Sequence, residues 1–188
     1  MSCITRCSNK VGPGHIRHLD YGQFTLAELG PPEGAGTTES MKSVADDFTA
    51  AGITVHLAEN LAVARWKKLV WNIPFNGLSV VLDATTKELV QSQNSLSLIR
   101  QLMKEVIEGA GACGYAVEER LIDEMVEASQ SMIPYRPSMK IDFDEHRPME
   151  IDAIYGVPIR MVEQAGKKMF LVEMLYRELC FLNEVHCA

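Results

Sequence analysis

The sequence predicts a mainly α-helical protein preceded by a small α/β segment, and two patterns support this prediction. From Asn60 onward, apolar residues recur at the three- and four-residue spacing of helices through almost the whole chain. Before Asn60 the pattern is mixed, with short extended runs, one capped helix and a strand. The hydrophobic content of 47% is sufficient for a core in a chain of 188 residues. We therefore predict an α/β segment at residues 1–59 and a helical domain at residues 60–188.

The first segment contains too few strands for an independent domain. HIRHLDYGQFTLAELG reads as two extended runs that turn at residues 20–22, with hairpin-like alternation in the second run. TTESMKSVADDFTAAG has a Thr cap, a Glu in its first turn and a terminal Gly, which predicts a helix. ITVHL follows as a strand. A hairpin, a helix and a lone strand form too small a sheet to be stable, so we expect the end of a larger α/β domain.

The second segment is predicted to be helical apart from one proline-rich loop, IPYRPSMKIDFDEHRP. The predicted helices are residues 60–82 (beginning with an Asn cap), 87–114, 118–132, 149–166 and 171–185.

Composition and charge exclude several classes of function. The net charge is −7 and no basic stripe is present, which argues against a nucleic-acid partner. No run approaches 18 apolar residues, so we expect no membrane span. The first residues, MSCITRCSNK, lack the apolar core of a signal peptide. The five cysteines are scattered and odd in number, as expected of reduced thiols in a cytoplasmic protein.

Two cysteine groups were considered as metal ligands. They are Cys3 with Cys7, and Cys180 with Cys187 and His186. No second pair completes a four-ligand site, so we predict unliganded thiols and no metal.

A line of polar residues runs along the first long helix, within WKKLVWNIPFN. Lys68, Asn72 and Asn76 are each four residues apart, so they share one helix face, and Ser79 lies close to the same line. The flanking positions are apolar. Burying an amide costs a few kcal/mol unless it finds a partner, and burying an ammonium costs more. The line therefore needs a polar counterpart, either elsewhere in the fold or in a ligand.

Pro74 lies between the two asparagines and has two interpretations. It removes the helix hydrogen bond to the carbonyl of Val70 and crowds that turn. The resulting kink could expose a carbonyl to a ligand pocket, or it could serve packing alone.

A second motif, PSMKIDFDEHRPMEIDAIYG, supplies candidate partners for the polar line. Glu150 follows a proline near a helix start, so it could simply complement the helix dipole. Alternatively, Glu150 is the counterpart that Lys68 requires, and Ser138 joins it with a hydroxyl. We interpret the remaining polar residues of the motif as solvated loop charges and a surface histidine: Asp142, Asp144, Glu145 and His146.

Together these two motifs resemble the C-terminal domain of ketopantoate reductases (2-dehydropantoate 2-reductases). That family shows W-x-K-L-x-x-N-x-x-x-N, and later S-S-M-x-x-D followed by G-R-x-T-E-I-D-A-I-N-G. The resemblance covers residues 12–182. It implies an all-helical substrate and dimerisation domain, similar to the C-terminal domain of 6-phosphogluconate dehydrogenase, preceded by a remnant of a Rossmann domain.

The resemblance also implies residue roles. Lys68 matches the family's catalytic lysine, which protonates the ketone oxygen, and Glu150 a carboxylate that binds the substrate hydroxyl. Asn72 and Asn76 match amides that hold the keto acid, and Ser138 a serine that contacts it. The implied reaction is the NADPH-dependent reduction of 2-dehydropantoate to a 2-hydroxy acid in pantothenate biosynthesis, by a homodimer.

The sequence also departs from the family pattern. The G-x-G-x-x-G turn that cradles NADPH is absent, so we expect the chain alone to be inactive. Tyr155 stands where the family usually has Asn, and residues 166–172 lack the usual proline-rich turn. Two alternatives therefore stay open: a truncated, non-catalytic module for dimerisation or small-acid binding, and a related hydroxy-acid dehydrogenase with another substrate.

Overall fold

The structure, a computed structural model, consists of two compact units, residues 1–65 and residues 66–188. It describes residues 2–5, 10–12, 14–16, 23–30, 34, 36–132 and 134–186. The division falls inside the first long helix, whereas the sequence places the boundary at its N-terminal cap. The boundary between residues 59 and 60 therefore stays a prediction.

The first unit is a small α/β arrangement. Its described elements are β1 (Ser2–Thr5), β2 (Lys10–Gly12), β3 (His15–Ile16), β4 (Gln23–Ala27), α1 (Glu39–Ala50) and β5 (Thr54–Leu57). β4 is the central strand of a three-stranded sheet, antiparallel to β1 and parallel to β5. α1 begins as predicted, because the Thr38 side chain accepts a hydrogen bond from the Met41 amide (3.2 Å). It is followed by Gly52 at φ +81°.

The hairpin predicted around residues 20–22 differs from the observed pairing. β3 pairs with β2, and β4 pairs with β1 and β5. The turn residues themselves lie outside the described part of the chain. Alternation of apolar and polar residues indicates which face of a strand is buried, but not which strand lies beside it. Here the chain passes from β4 through α1 to β5, so that β5 becomes the parallel neighbour of β4.

The second unit is helical, as the sequence predicts. Its elements are α2 (Leu61–Val81), α3 (Thr86–Gln91), α4 (Gln93–Ala112), α5 (Leu121–Ser131), α6 (Ser138–Asp144), a π-helical turn (Asp152–Gly156), α7 (Val157–Gln164) and α8 (Phe170–His186). All of them contribute side chains to one apolar core. α2 is central, because residues 73–80 are buried without interruption. None of the helices within the described ranges is both long and apolar enough to span a membrane.

Two predicted elements are corrected by the structure. The helix expected at residues 87–114 is broken at Ser92, which is extended (φ −84°, ψ 126°). The Ser95 hydroxyl stabilises this break by donating to the carbonyl oxygens of Leu89 (2.6 Å) and Ser92 (3.2 Å). The loop predicted around Pro137 contains the short helix α6.

The start of α8 is capped by a side chain from α4. The Glu105 carboxylate accepts hydrogen bonds from the backbone amides of Leu171 (3.1 Å) and Val172 (2.8 Å). A carboxylate at this position satisfies amides that a helix cannot pair internally and complements the helix dipole. The cap therefore ties the last helix to the middle of the chain.

Candidate functional site

The polar line on α2 runs from the surface into the core. Lys68 is exposed, Asn72 is half-buried and Asn76 is only 2% exposed. The Ser79 hydroxyl, fully buried, donates to the Asn76 carbonyl oxygen (2.9 Å). The sequence predicts a desolvated lysine, but the structure places Lys68 at the exposed end, because α2 is buried on one side only in its first turns. Exposure thus falls along the line from Lys68 to Asn76.

The side-chain amide of Asn76 makes no hydrogen bond to any described residue, although its backbone carbonyl is paired. A buried amide without a partner costs about 1–3 kcal/mol, so such groups are rare in folded proteins. The described residues therefore do not supply the counterpart that Asn76 requires. This favours a ligand as the counterpart over a partner within the fold.

Aromatic side chains form a fixed wall beside the line. Trp71 stacks on Phe75 (ring centroids 4.6 Å apart) and on Tyr135 (6.2 Å). Its indole N–H donates to the hydroxyl of Ser129 (3.0 Å), which in turn donates to the Met125 carbonyl oxygen (2.7 Å). Two ring contacts and one hydrogen bond thereby fix the indole of Trp71, the residue that precedes Asn72 in the chain.

The turn that contains Pro74 is held by Tyr155 of the π-helical turn. The fully buried Tyr155 hydroxyl donates to the Ile73 carbonyl oxygen (2.8 Å). Gly77 permits this approach, since a Cβ there would lie 2.6 Å from that hydroxyl and 2.6 Å from Leu175 Cδ2. Burial raises the pKa of Tyr155 well above 10.0, despite a hydrogen bond from the Gly77 backbone. Tyr155 is therefore a neutral hydrogen-bond donor to the centre of α2.

The same contact links α2 to the segment that carries Glu150. Glu150 is exposed and lies at the start of the helical segment that continues into the π-helical turn, its carbonyl accepting from the Ile154 amide (3.2 Å). Five residues of helix span about 7.5 Å, so Tyr155 anchors Glu150 at a short axial distance from its contact with α2. The adjacent Met149 amide donates to the Asn183 side chain in α8 (3.1 Å).

An ion cluster around the buried Lys140 fixes α6, whose first residue is the exposed Ser138. The Lys140 side chain, 5% exposed, contacts the carboxylates of Asp83 (2.7 Å) and Asp144. Burial lowers the pKa of Lys140, but the hydrogen bonds to Asp144 and Asp83 outweigh it, so the pKa is raised overall. Arg136 also contacts Asp144 (3.1 Å). The cluster thus joins α6 to the end of α2.

This cluster corrects the interpretation of the acidic residues as solvated loop charges. Asp144 is paired with Lys140, and Asp142 is paired with Arg147 (2.7 Å). The four-residue spacing of Lys140 and Asp144 indicates an ion pair only if the segment is helical. The segment is predicted to be a loop, so the spacing does not predict the pair. The sequence draws attention to Tyr155 only because the family usually has Asn there. It does not indicate the contact between Tyr155 and Ile73. The meeting of Lys68 with Ser138 and Glu150 stays a prediction.

Only some of the cysteines that could be metal ligands lie in the described part of the chain. Cys113 and Cys180 are free thiols, and burial raises the pKa of Cys113. The other cysteine side chains and that of His186 lie outside the described part of the chain. Among the side chains that the structure describes, no cluster of three or more His, Cys, Asp or Glu could hold a metal ion.

Comparison with known families agrees with this architecture. A family model described as the C-terminal region of ketopantoate reductase PanE/ApbA matches residues 60–183. This chain belongs to the ketopantoate reductase family through that helical domain. The match confirms the resemblance and the mainly helical fold predicted from the sequence.

Individual relatives extend the similarity beyond the helical domain. The 2-dehydropantoate 2-reductase of a Nostoc species is 47% identical over 178 residues, which are 94% of this chain and 56% of that protein. The crystal structure of the enzyme from Geobacter metallireducens has a TM-score of 0.87 at 37% identity and covers 97% of this chain and 59% of its own. The enzyme from Methylococcus capsulatus gives 0.88 at 30% identity, with 99% and 59% covered. The chain thus spans somewhat more than half the length of these relatives.

Proposed function

We propose that this chain forms the keto-acid site of a 2-dehydropantoate 2-reductase. The observation that carries the proposal is the buried, unpartnered amide of Asn76 on the same helix line as Lys68. A 2-keto acid offers carbonyl and carboxylate oxygens, which are the acceptors that an amide N–H and an ammonium require. The motif positions and the family membership of residues 60–183 support the same ligand class.

The proposed roles follow from how deeply each residue of the polar line is buried. Asn76 and Asn72 hold the keto acid, with its carbon chain against the Trp71 wall. Lys68, near solvent, donates a proton to the ketone oxygen, which becomes the hydroxyl of the product. Glu150 binds the new hydroxyl, and Ser138 contributes a further hydrogen bond. Reduced nicotinamide, NADPH by the family resemblance, supplies the hydride when bound.

The described residues do not fit the pyrophosphate of that cofactor. The nearest glycine pair with a described backbone is Gly34 and Gly36, and it is packed on Glu59. The Gly36 amide already donates to the Glu59 carbonyl oxygen (3.1 Å), and a Cβ at Gly34 would lie 2.6 Å from the same oxygen. A phosphate cradle requires free backbone amides, and the Gly36 amide is already paired. The roles proposed here therefore concern the keto acid alone.

The proposal includes a homodimer located in the cytoplasm. The homodimer follows from the family resemblance and from an apolar face on α8 whose residues are exposed in the single chain. The cytoplasmic location is proposed from the scattered, odd-numbered cysteines, which are typical of reduced thiols.

Binding of 2-dehydropantoate to the purified chain, measured by titration calorimetry, tests the proposal. We expect saturable binding that Asn76→Leu weakens at least about tenfold, the equivalent of one hydrogen bond of about 1.4 kcal/mol. The same change should leave the free energy of unfolding unchanged or raise it, because it removes an unpaired buried amide.

Asn94→Leu is the matched control, since Asn94 is exposed at the start of α4. It should alter neither property. Unchanged affinity in Asn76→Leu, or no binding by the parent chain, would contradict the proposed role of this site.

A further inference from the structure

α8 has apolar side chains on two opposite faces. Val172, Leu175 and Leu179 are at most 2% exposed and face the core. On the other side lies an exposed row, called here the α8 stripe: Phe170 (68% exposed), Met174 (51%), Phe181 (63%) and Val185 (59%). At about 100° per residue, the stripe covers an arc of about 60° directed away from the core. A helix with two apolar faces is typical of one that is covered on both sides.

The stripe is unusual on this surface because its members share one face of a single helix. Among the described residues, the other large exposed apolar side chains are Leu29, Leu82 and Val157, which lie far apart in the sequence. Scattered apolar side chains are normal on a protein surface, whereas contiguous ones mark an interaction site. The stripe extends over about 22 Å of helix.

The sequence of the stripe is symmetric about its own centre. Phe170 and Val185 are equally distant from the midpoint of Arg177 and Glu178, and so are Met174 and Phe181. Arg177 and Glu178 carry opposite charges and are both exposed. A pattern that is apolar at both ends and charge-complementary across its centre matches a second copy of itself in antiparallel orientation. That is the requirement for a two-fold symmetric interface.

We propose that the α8 stripe pairs antiparallel with α8 of a second copy, about a two-fold axis between Arg177 and Glu178. Phe170 then meets the partner's Val185, Met174 meets the partner's Phe181, and Arg177 meets the partner's Glu178. Arg177 contacts Glu173 in its own chain (3.3 Å), with its side chain 71% exposed, so it can exchange this weak pair for the new one. The inference rests on the homodimer proposed above and names its surface.

The first experiment places charges in the stripe of the full chain. Sedimentation equilibrium should show a dimer whose dissociation constant rises at least about a hundredfold in Met174→Glu/Phe181→Glu, since four carboxylates would be desolvated per dimer. Val157→Glu, which charges an exposed apolar residue on α7, should leave the dimer intact. Circular dichroism checks that each variant is folded.

The second experiment reverses the central charges, which lie at the surface and do not contribute to the core. Arg177→Glu and Glu178→Arg should each weaken the dimer about tenfold through like-charge contacts, and the double variant should restore it. Failure of the double variant to recover would overturn the antiparallel register.

The outcomes separate this interface from the homodimer itself. A chain that is monomeric at all concentrations overturns both. If a dimer forms and its dissociation constant is unchanged in the stripe and charge variants, this interface is wrong but the homodimer is not contradicted. If the chain alone dimerises but becomes monomeric when joined to the nucleotide-binding half of the Nostoc relative, the stripe is covered within one polypeptide and the proposal is wrong. None of these results depends on keto-acid binding, which calorimetry measures separately.

Discussion

Polar residues recur every four positions in both halves of α2, but the two halves differ greatly in burial. In the outer half, Arg65, Lys67 and Lys68 are exposed, whereas every residue from 73 to 80 is buried in the inner half. The inner half is also held from outside the helix, by Tyr155 on its backbone. Because a helix is stiff over this length, the buried half fixes the direction in which the exposed half presents Lys68. A reactive group can thus stay accessible while its position is determined by the core.

The largest expected effect on the buried half of α2 comes from a change at Gly77. We expect Gly77→Ala to lower the free energy of unfolding by about 2–4 kcal/mol, because its Cβ would overlap Leu175 and the Tyr155 hydroxyl. Gly111→Ala is the control: nothing lies within 4 Å of its Cβ in α4. That variant should gain up to about 1 kcal/mol from helix propensity. Urea titrations of both variants measure the contrast, and equal effects would show that Gly77 is not tightly packed.

Removing the Tyr155 hydroxyl should have the next largest effect. Tyr155→Phe leaves the Ile73 carbonyl without this donor, at an expected loss of about 1–3 kcal/mol. The half-buried Tyr115 is the control, and Tyr115→Phe should stay within about 0.5 kcal/mol. Hydrogen exchange of the Gly77 amide provides a local readout. Unaltered protection there would mean that the hydroxyl does not hold this turn.

The ion cluster at the end of α2 should contribute a smaller, pH-dependent amount. Asp144→Ala removes one of two carboxylates from the buried Lys140, so we expect a loss of about 1–2 kcal/mol at neutral pH. Asp123→Ala, at the exposed pair with Arg100, should lose less than about 0.5 kcal/mol.

The sign of the pH dependence follows from the raised pKa of Lys140. A raised pKa in the folded state stabilises the protein below the ordinary value of 10.5, and this stabilisation is lost as the pH rises through the folded value. The deficit of Asp144→Ala should therefore be constant near neutrality and narrow above pH 10.5. Thermal melts across this range measure it. A deficit that grows at alkaline pH would contradict the assignment.

The outer half should show the smallest effect on stability. Lys68→Ala and Lys67→Ala should both change the free energy of unfolding by less than about 0.5 kcal/mol, since both residues are exposed. In a protein that includes a nucleotide-binding half, Lys68→Ala should lower turnover by about 10²–10⁴-fold, the range for a lost proton donor. Lys67 points about 100° away and should matter far less. Similar turnover in the two variants would refute the role of Lys68.

Local patterns in the sequence predicted the features that depend on neighbours in the chain. The Asn60 cap is one, since its side chain accepts from the amides of Ala62 (2.9 Å) and Val63 (3.1 Å). The four-residue polar line and the last helix are others. These follow from helix geometry alone, which requires no knowledge of the tertiary fold.

Features that depend on distant partners were not predictable in this way. Tyr155 and Ile73 are 82 residues apart, so the hydroxyl that holds the Pro74 turn gives no local pattern. The same is true of the bond between Asp83 and the buried Lys140. The apolar helical spacing continues through Ser92 without interruption, so it gives no sign of the break there. The Thr85–Glu88 capping box that starts α3 is the local signal for a separate helix.

The carboxylate of Glu105 has a consequence for the order of assembly. Glu105 accepts from the first amides of α8 although it lies 66 residues earlier in the chain. The first turn of α8 is therefore fully stabilised only when α4 is packed against it. The surface proposed for pairing between copies is therefore expected to reach its full stability only once α4 and α8 have packed together. Pairing through this surface would then follow the folding of each chain.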